Sequence, residues 1–360
     1  MALTTVRPQG MGFVTGRRNL IINGAMQVAQ RGTSETGVTG VKYANAPDRF
    51  KAQITTAGTW TLSQSSTAPD GFANSYKWDC TVADASLAAG DVIQFAHKVE
   101  AQNLQQLQYG TSGAQAVTVS FYVRSNKTGT YILEIYQDDG ARGISKSYTI
   151  DSADTWERKT ITIPGDSSGS ISDDNGIGFD MLWYLAAGTN FTSGTLATDW
   201  ASLTSANRAV GQVNLADNTS NEWYITGIQL EVGENASDFE HHSYGEELQL
   251  CRRYYEQYDA DSGRWIAAGG YEGTTDAEFS FLFNVQKRAA PTVSFTGTSS
   301  HFLLKRFGTS NAAAGTLSAD NVGVDGFKVN STSNPSSHTT GQASLFGIYN
   351  TAKVTVDAEL

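Results

Sequence analysis

The sequence predicts an all-β protein: an N-terminal jelly-roll β-sandwich, a short connecting helix and a smaller C-terminal β-sandwich domain. Three observations carry the prediction. Of 360 residues, 36 are Gly and only 17% are charged, which is the composition of a turn-rich β protein. Apolar side chains recur at every second position in many short runs, the period of a strand. Helical spacing is convincing at one place only, Ser243 to Tyr258. No internal repeat of fixed period is present.

Taken in order, residues 1–18 read as an unpatterned arm carrying Arg17-Arg18. Residues 19–237 read as the jelly roll. Asn19 to Val28 is an apolar strand broken by an Asn-Gly turn signal. Phe50 to Ile54 and Trp60 to Ser63 form a pair, followed by Tyr76 to Val82 and Val92 to Val99. Gln102 to Gln108 fits either a helical turn or a polar strand. Val117 to Arg124 alternates most cleanly, turns at Asn126-Lys127-Thr128-Gly129, and returns from Thr130 to Gln137. Trp156 to Ile163 stops at Pro164-Gly165, and Ile177 to Trp183 alternates again. Ala186 to Val210 is a long polar connection, and long loops are often functional. Trp223 to Leu230 is the closing strand, apolar on both faces, with Gly227 marking a bulge or a close backbone approach.

Residues 238–258 read as a linker helix. Ser243-Tyr244-Gly245-Glu246 is a capping box, and Leu248, Cys251, Tyr255 and Tyr258 form one apolar stripe. That stripe packs either on its own domain or around a symmetry axis with copies of itself, which would make these four the oligomerisation residues. Residues 259–360 read as the second β domain, with strands near 264–268, 278–285, 292–295, 301–307, 325–329, 344–349 and 352–357. Phe279, Phe281 and Phe283 share one face.

The formal net charge is −11, which argues against nucleic acid and anionic membranes as partners. No apolar run is long enough to span a bilayer, and no secretory leader opens the chain. The two cysteines, Cys80 and Cys251, are expected as buried thiols, consistent with assembly in a reducing cytoplasm. Five histidines occur without metal-ligand spacing, and His241-His242 reads as a surface pair. No nucleophile elbow, phosphate loop or dinucleotide fingerprint is present, so no cofactor, metal or catalytic residue is expected. The acidic pairs Asp138-Asp139, Asp173-Asp174 and Glu246-Glu247 read as solvated charges, since adjacency does not supply the facing geometry of glycoside cleavage. What remains is aromatic. Sugar rings stack on Trp and Tyr while loop polar groups bond their hydroxyls. Trp183 and Tyr184, on opposite strand faces, and Trp200 in the long loop are the candidate glycan-binding residues.

Three stretches, NLIINGAMQVAQRG (19–32), VTVSFYVRSNKTGTY (117–131) and WYITGIQLEVG (223–233) followed by FEHHSYGEELQLCRRYYE, together resemble a family of bacteriophage tail-fibre proteins of marine bacteria and cyanobacteria. KRAAPTVSF (287–295) and the terminal VDAEL are similar to the ends of such fibres. The resemblance implies a homotrimeric, non-enzymatic receptor-binding protein of the virion tail, assembled in the host cytoplasm, with a sandwich similar to carbohydrate-binding modules. Its implied partners are copies of itself, a phage tail or baseplate protein met through the N-terminal arm, and a host surface polysaccharide or lipopolysaccharide. Members of the family often begin with a long anchoring domain, whereas only residues 1–18 precede the sandwich here. Attachment through that arm, or through another protein, is the expectation. Two other readings are a structural adaptor or decoration protein without a receptor, and a fibre-borne polysaccharide depolymerase.

Overall fold

The computed structural model describes residues 17–55, 57–259, 263–307, 310–335 and 338–360; most of the expected arm, residues 1–16, lies outside them. The described chain is almost wholly antiparallel β, as its alternation predicts. It divides into two compact units. The first runs through Met26, then takes Thr36–Lys42 and Lys51–His242. The second takes Gln27–Glu35, Tyr43–Phe50 and Ser243–Leu360. Two short N-terminal segments and the helix, which the sequence reading gives to the sandwich and to a linker, therefore belong to the second unit.

Apart from Ser34, Glu35 and Phe50, the first unit carries β1 (Ser34–Val38), β2 (Val41–Lys42), β3 (Phe50–Thr55), β4 (Thr59–Ser65), β5 (Ser75–Val82), β6 (Val92–Glu100) and β7 (Val117–Ser125). It continues with β8 (Gly129–Gln137), β9 (Arg142–Ile150), β10 (Glu157–Ile163), β11 (Ile177–Ala187), α1 (Thr189–Thr192), β12 (Ala201–Ser202) and β13 (Glu222–Val232). One sheet has the order β1-β4-β5-β13-β7-β10 and the other β12-β9-β8-β11-β6-β3-β2. Their inner faces interlock through aromatic rings. Phe95 of β6 meets Tyr76 of β5 at 5.1 Å and Trp223 of β13 at 5.6 Å, and Phe121 of β7 meets Trp183 of β11 at 5.9 Å. Edge-to-face pairs of this kind add to the area they bury. This is the β-sandwich that the sequence predicts.

Three local readings change. Asn19 to Val28 is buried but is not a strand. Asn23 and Met26 have positive φ, at 62° and 56°, which breaks extended geometry. The segment instead docks on β13: Leu20 N–H donates to Leu230 O, and Ile228 N–H donates to Gly24 O. Gln102 to Gln108 resolves into a 3-10 helix, Ala101–Leu107, which buries Ala101, Leu104 and Leu107. Strand β9 escapes sequence reading because Arg142–Ile150 (RGISKSYTI) has small and polar residues at most positions. Gly227 does mark a close approach. Its φ is +61°, and a Cβ there would lie 2.7 Å from the Phe72 ring.

The second unit begins with α2 (Tyr244–Arg252), whose predicted capping box forms between Ser243 and Glu246. It then carries β14 (Tyr255–Asp259), β15 (Arg264–Tyr271), β16 (Ala277–Leu282), β17 (Thr292–Thr296), β18 (Phe302–Leu304), β19 (Ala312–Ala313), β20 (Thr316–Asp320), β21 (Gly326–Thr332), β22 (Ala343–Ile348) and β23 (Lys353–Asp357). These form a three-stranded sheet, β14-β23-β17, and a seven-stranded sheet, β19-β18-β22-β15-β16-β21-β20. Phe279, Phe281, Phe302, Phe327 and Phe346 make the core between them.

The helix is shorter than its periodicity predicts, and this corrects the reading of the four stripe residues. It ends at Arg252, and Tyr255 and Tyr258 lie on β14. β-strand pairing with β23 outweighs helical spacing there. Cys251, Tyr255 and Tyr258 are buried within their own unit, and only Leu248 stays half-buried. Cys80 and Cys251 are free and buried, as expected.

The C-terminus is fastened by two buried arginines. Arg49 lies 3.4 Å over the Tyr254 ring and pairs with Glu359. Arg31 lies 3.6 Å over the Tyr255 ring and is paired with Asp48 (3.5 Å), Asp357 (3.4 Å) and Glu359 (3.3 Å). Burial, opposed by Arg31, pushes the Asp48 carboxyl up to about 6. Breaking a buried pair strands a charge. Glu359→Ala should therefore cost about 3–5 kcal/mol in urea unfolding. Asp357→Ala, at a side chain 43% exposed, should cost less than about 1 kcal/mol. Equal losses would contradict this account.

Candidate functional site

The larger sheet of the first unit has one face in the sandwich and one outside it. Alternation along β11 sends Phe179, Met181 and Trp183 inward, so Asp180, Leu182 and Tyr184 point outward. Part of this outer face is roofed by the connection from β11 to β13. Phe191, Leu196 and Ala209 of that connection pack on Ala96, Ile132, Leu182 and Tyr184. The roof is joined to the sheet edge by β12, which pairs with Arg142 and Gly143 of β9.

A buried ion pair holds the roof down. Glu134 of β8 accepts from Arg208 Nε at 2.9 Å and Nη2 at 2.7 Å, and from the Tyr184 hydroxyl at 2.8 Å. The Glu134 side chain is 1% exposed. Burial lowers the Arg208 pKa, but its bond to Glu134 more than offsets this, so the guanidinium stays charged. Burial, with Glu134 beside it, raises the Tyr184 phenol well above its usual range and keeps it a donor.

Beyond the roof one row of outward side chains is left open. In register across the sheet stand Lys98 of β6, Asp180 of β11, Tyr136 of β8 and Gly143 of β9. Lys51 of β3, the strand beyond β6, is close enough for its charge to act on Asp180. Lys51, Lys98, Asp180 and Tyr136 are all half-buried. Oδ1 of Asp180 is buried without a hydrogen-bond partner among the described residues. Burial pushes this carboxyl up to about 6, although Lys98 and Lys51 pull it down. The row ends at β9, where Leu203 lies over Gly143; a Cβ at Gly143 would meet Leu203 Cδ2 and Glu134 Oε1, each at 3.3 Å. A cavity of about 70 Å³ lies at this end of the row, lined by Gly143, Glu134, Leu203, Thr204, Asn207 and Arg208. By volume it holds about two waters. The row thus combines cations, a carboxylate short of a donor and an aromatic ring.

The three aromatic candidates sit elsewhere. Trp183 is fully buried in the sandwich core. Tyr184 does lie on the outer face, but the roof covers it completely. Trp200 is half-buried; its Nε1 donates to Pro164 O at 2.6 Å and its ring stacks on Phe179. Trp183 and Tyr184 are thus taken up by packing, and Trp200 remains half-buried with one ring face on Phe179. The open row was visible in the sequence only as charged or aromatic residues at alternate positions of otherwise apolar strands. Bringing them together requires the strand order, which local pattern does not contain. A second aromatic group, Phe72, Tyr122, Phe239 and His241, lies by β7 and β13, and His241 is exposed. Among the described residues no cluster of His, Cys, Asp and Glu is arranged to hold a metal. None of their helices is long and apolar enough to cross a membrane.

No family model matches the chain, and no curated protein matches it. Several solved structures do. The enzymatically active domain of tailspike protein 4 of bacteriophage CBA120 aligns at 11% identity and a TM-score of 0.31, over 60% of this chain and 21% of that one. The chain therefore spans about a fifth of that tailspike. A family 11 carbohydrate-binding module of a Clostridium thermocellum cellulosomal cellulase aligns at 13% identity and a TM-score of 0.27, over 57% and 99%. A tandem of family 22 carbohydrate-binding modules from Paenibacillus barcinonensis aligns at 10% identity and a TM-score of 0.28, over 95% and 97%.

A carboxyl whose folded pKa is raised binds its proton more readily when folded, so its contribution to stability falls as pH rises from about 4 to about 6. Asp180→Asn should therefore stabilise the protein at pH 7.5, by roughly 1–3 kcal/mol, with the gain vanishing towards pH 4. Chemical denaturation at both pH values measures it. A destabilised variant at pH 7.5 would show that Asp180 is paired.

Proposed function

We propose that the chain is a virion protein of a bacteriophage tail fibre that binds a host cell-surface glycan without cleaving it, and that the row Lys51, Lys98, Asp180 and Tyr136 makes the contact. The observation that carries this reading is the Asp180 carboxyl, half-buried in the row and with one oxygen lacking a donor among the described residues. Such a group costs stability until something donates to it. A sugar hydroxyl is a suitable donor, the lysines can donate to neighbouring hydroxyls, and the Tyr136 ring offers an apolar face to a pyranose. The placement on a phage tail rests on the resemblance of residues 19–32, 117–131 and 223–258 to tail fibres. That resemblance also supports a homotrimer and attachment to a tail or baseplate protein through residues 1–18. A trimer would raise weak single-site affinities by about 10²–10⁴ through avidity.

A depolymerase is the second reading. It is favoured by Asp180 and Glu134 sharing one sheet face, with Asp180 raised towards the range of a general acid. Against it, the Glu134 side chain is only 1% exposed and is held in an ion pair with Arg208 of the roof, which shields it from a substrate in the row. Size analysis of host polysaccharide after incubation separates the two readings: unchanged chain length is expected, and shortened chains would establish the enzyme.

Binding to host cells and their extracted surface polysaccharide tests the main reading. Tyr136→Ala and Asp180→Asn should each weaken binding at least about tenfold, the loss of roughly 1.4 kcal/mol. Wild-type binding should fall as pH drops through about 6, because the protonated carboxyl no longer accepts fully, whereas Asp180→Asn should show a flat profile. Undiminished binding by both variants would reject this site. Light scattering should give three times the chain mass, and a monomer at micromolar concentration would reject the trimer.

A further inference from the structure

We infer that the open row takes the end of a glycan chain and excludes its interior. This rests on the glycan-binding reading of the same site.

The geometry is that of a blocked trough. The row crosses the sheet from Lys51 on β3 through Lys98 and Asp180 to Tyr136 on β8. Three inter-strand steps make it about 14 Å long, enough for a short run of sugar rings. At the next strand it stops. The position in register with Tyr136 is Gly143, and Leu203 occupies the space that a side chain there would need. The wall is firmly built. Backbone pairing of Ala201 and Ser202 with β9 holds its base, and the Arg208–Glu134 ion pair anchors it behind. Along the strands the roof closes one side, over the next outward residues Leu182 and Tyr184. A polymer lying in the row cannot run on past β9. Its last ring sits against Leu203, beside Tyr136 and Asp180.

Selectivity follows from this wall. An internal segment has a further sugar at both ends, and the second of them would collide with Leu203. A terminal residue has a hydroxyl in that place. Chain ends are recognised, so long polymers present one site per end and not one per repeat.

The test uses the full-length protein and an array of structurally defined bacterial surface oligosaccharides. Each glycan is printed as such and again with one further sugar on its non-reducing end and, separately, with its reducing end free or linked. Extension at one of the two ends should reduce binding at least tenfold, while lengthening from the other end should leave affinity per molecule unchanged beyond the first few sugars. Leu203→Gly should remove the at least tenfold difference between the extended and the original forms, whatever it costs the original ones. Binding that rises steadily with length and ignores extension at either end would overturn the inference while leaving the glycan site intact. Binding to no member of the array would overturn the glycan reading and this inference with it.

Discussion

The Glu134 carboxylate, buried on the outer face of a sheet, depends on one partner. Without Arg208 it would be an uncompensated charge in a nearly dry setting, which proteins do not tolerate cheaply. Arg208 comes from the long connection between β11 and β13, so satisfying the charge also fixes where that connection lies. With the guanidinium in place, Phe191, Leu196 and Ala209 cover part of the outer face. Leu203 is set over Gly143 by the same course of the chain. The shape of the open row is thus a consequence of an ion pair beside it and of no contact within it.

The same logic accounts for Asp180. It lies one register step from Glu134, on the neighbouring strand, in a row that the roof does not reach. Among the described residues nothing donates to its buried Oδ1, and two lysines only partly offset its burial. A protein built for stability alone would place an amide or an apolar residue there. Retaining a carboxylate at that cost is the pattern of a binding residue whose missing partner comes from outside.

Much of the fold was legible locally. Strands β3 to β8, β10, β11 and β13 announce themselves by alternation, and the capping box of α2 was read correctly. The misses have physical causes. β9 is too polar and small to show a period, yet it is held by pairing with β8 along its whole length. Tyr255 and Tyr258 continue the helical spacing of Leu248 and Cys251, but pairing with β23 decides their backbone. Residues 27–35 and 43–50 join the second unit through Arg31, Asp48 and Arg49, over separations of about three hundred positions that no local pattern reports. The open row escapes local reading for a related reason. Aromatic content points to Trp183, Tyr184 and Trp200, of which Trp183 and Tyr184 are buried in packing. The residues that face outward together are spread over four strands, and only the sheet order unites them.

The central claim is that a glycan occupies the uncovered row of the first unit. A crystal structure of the full chain soaked with a host-surface oligosaccharide tests it most directly. The account predicts a sugar hydroxyl within hydrogen-bond distance of the Asp180 carboxylate, a ring against Tyr136 and the last ring against Leu203. A sugar seated on the Phe72, Phe239 and His241 group, or on the second unit with the row empty, would contradict it.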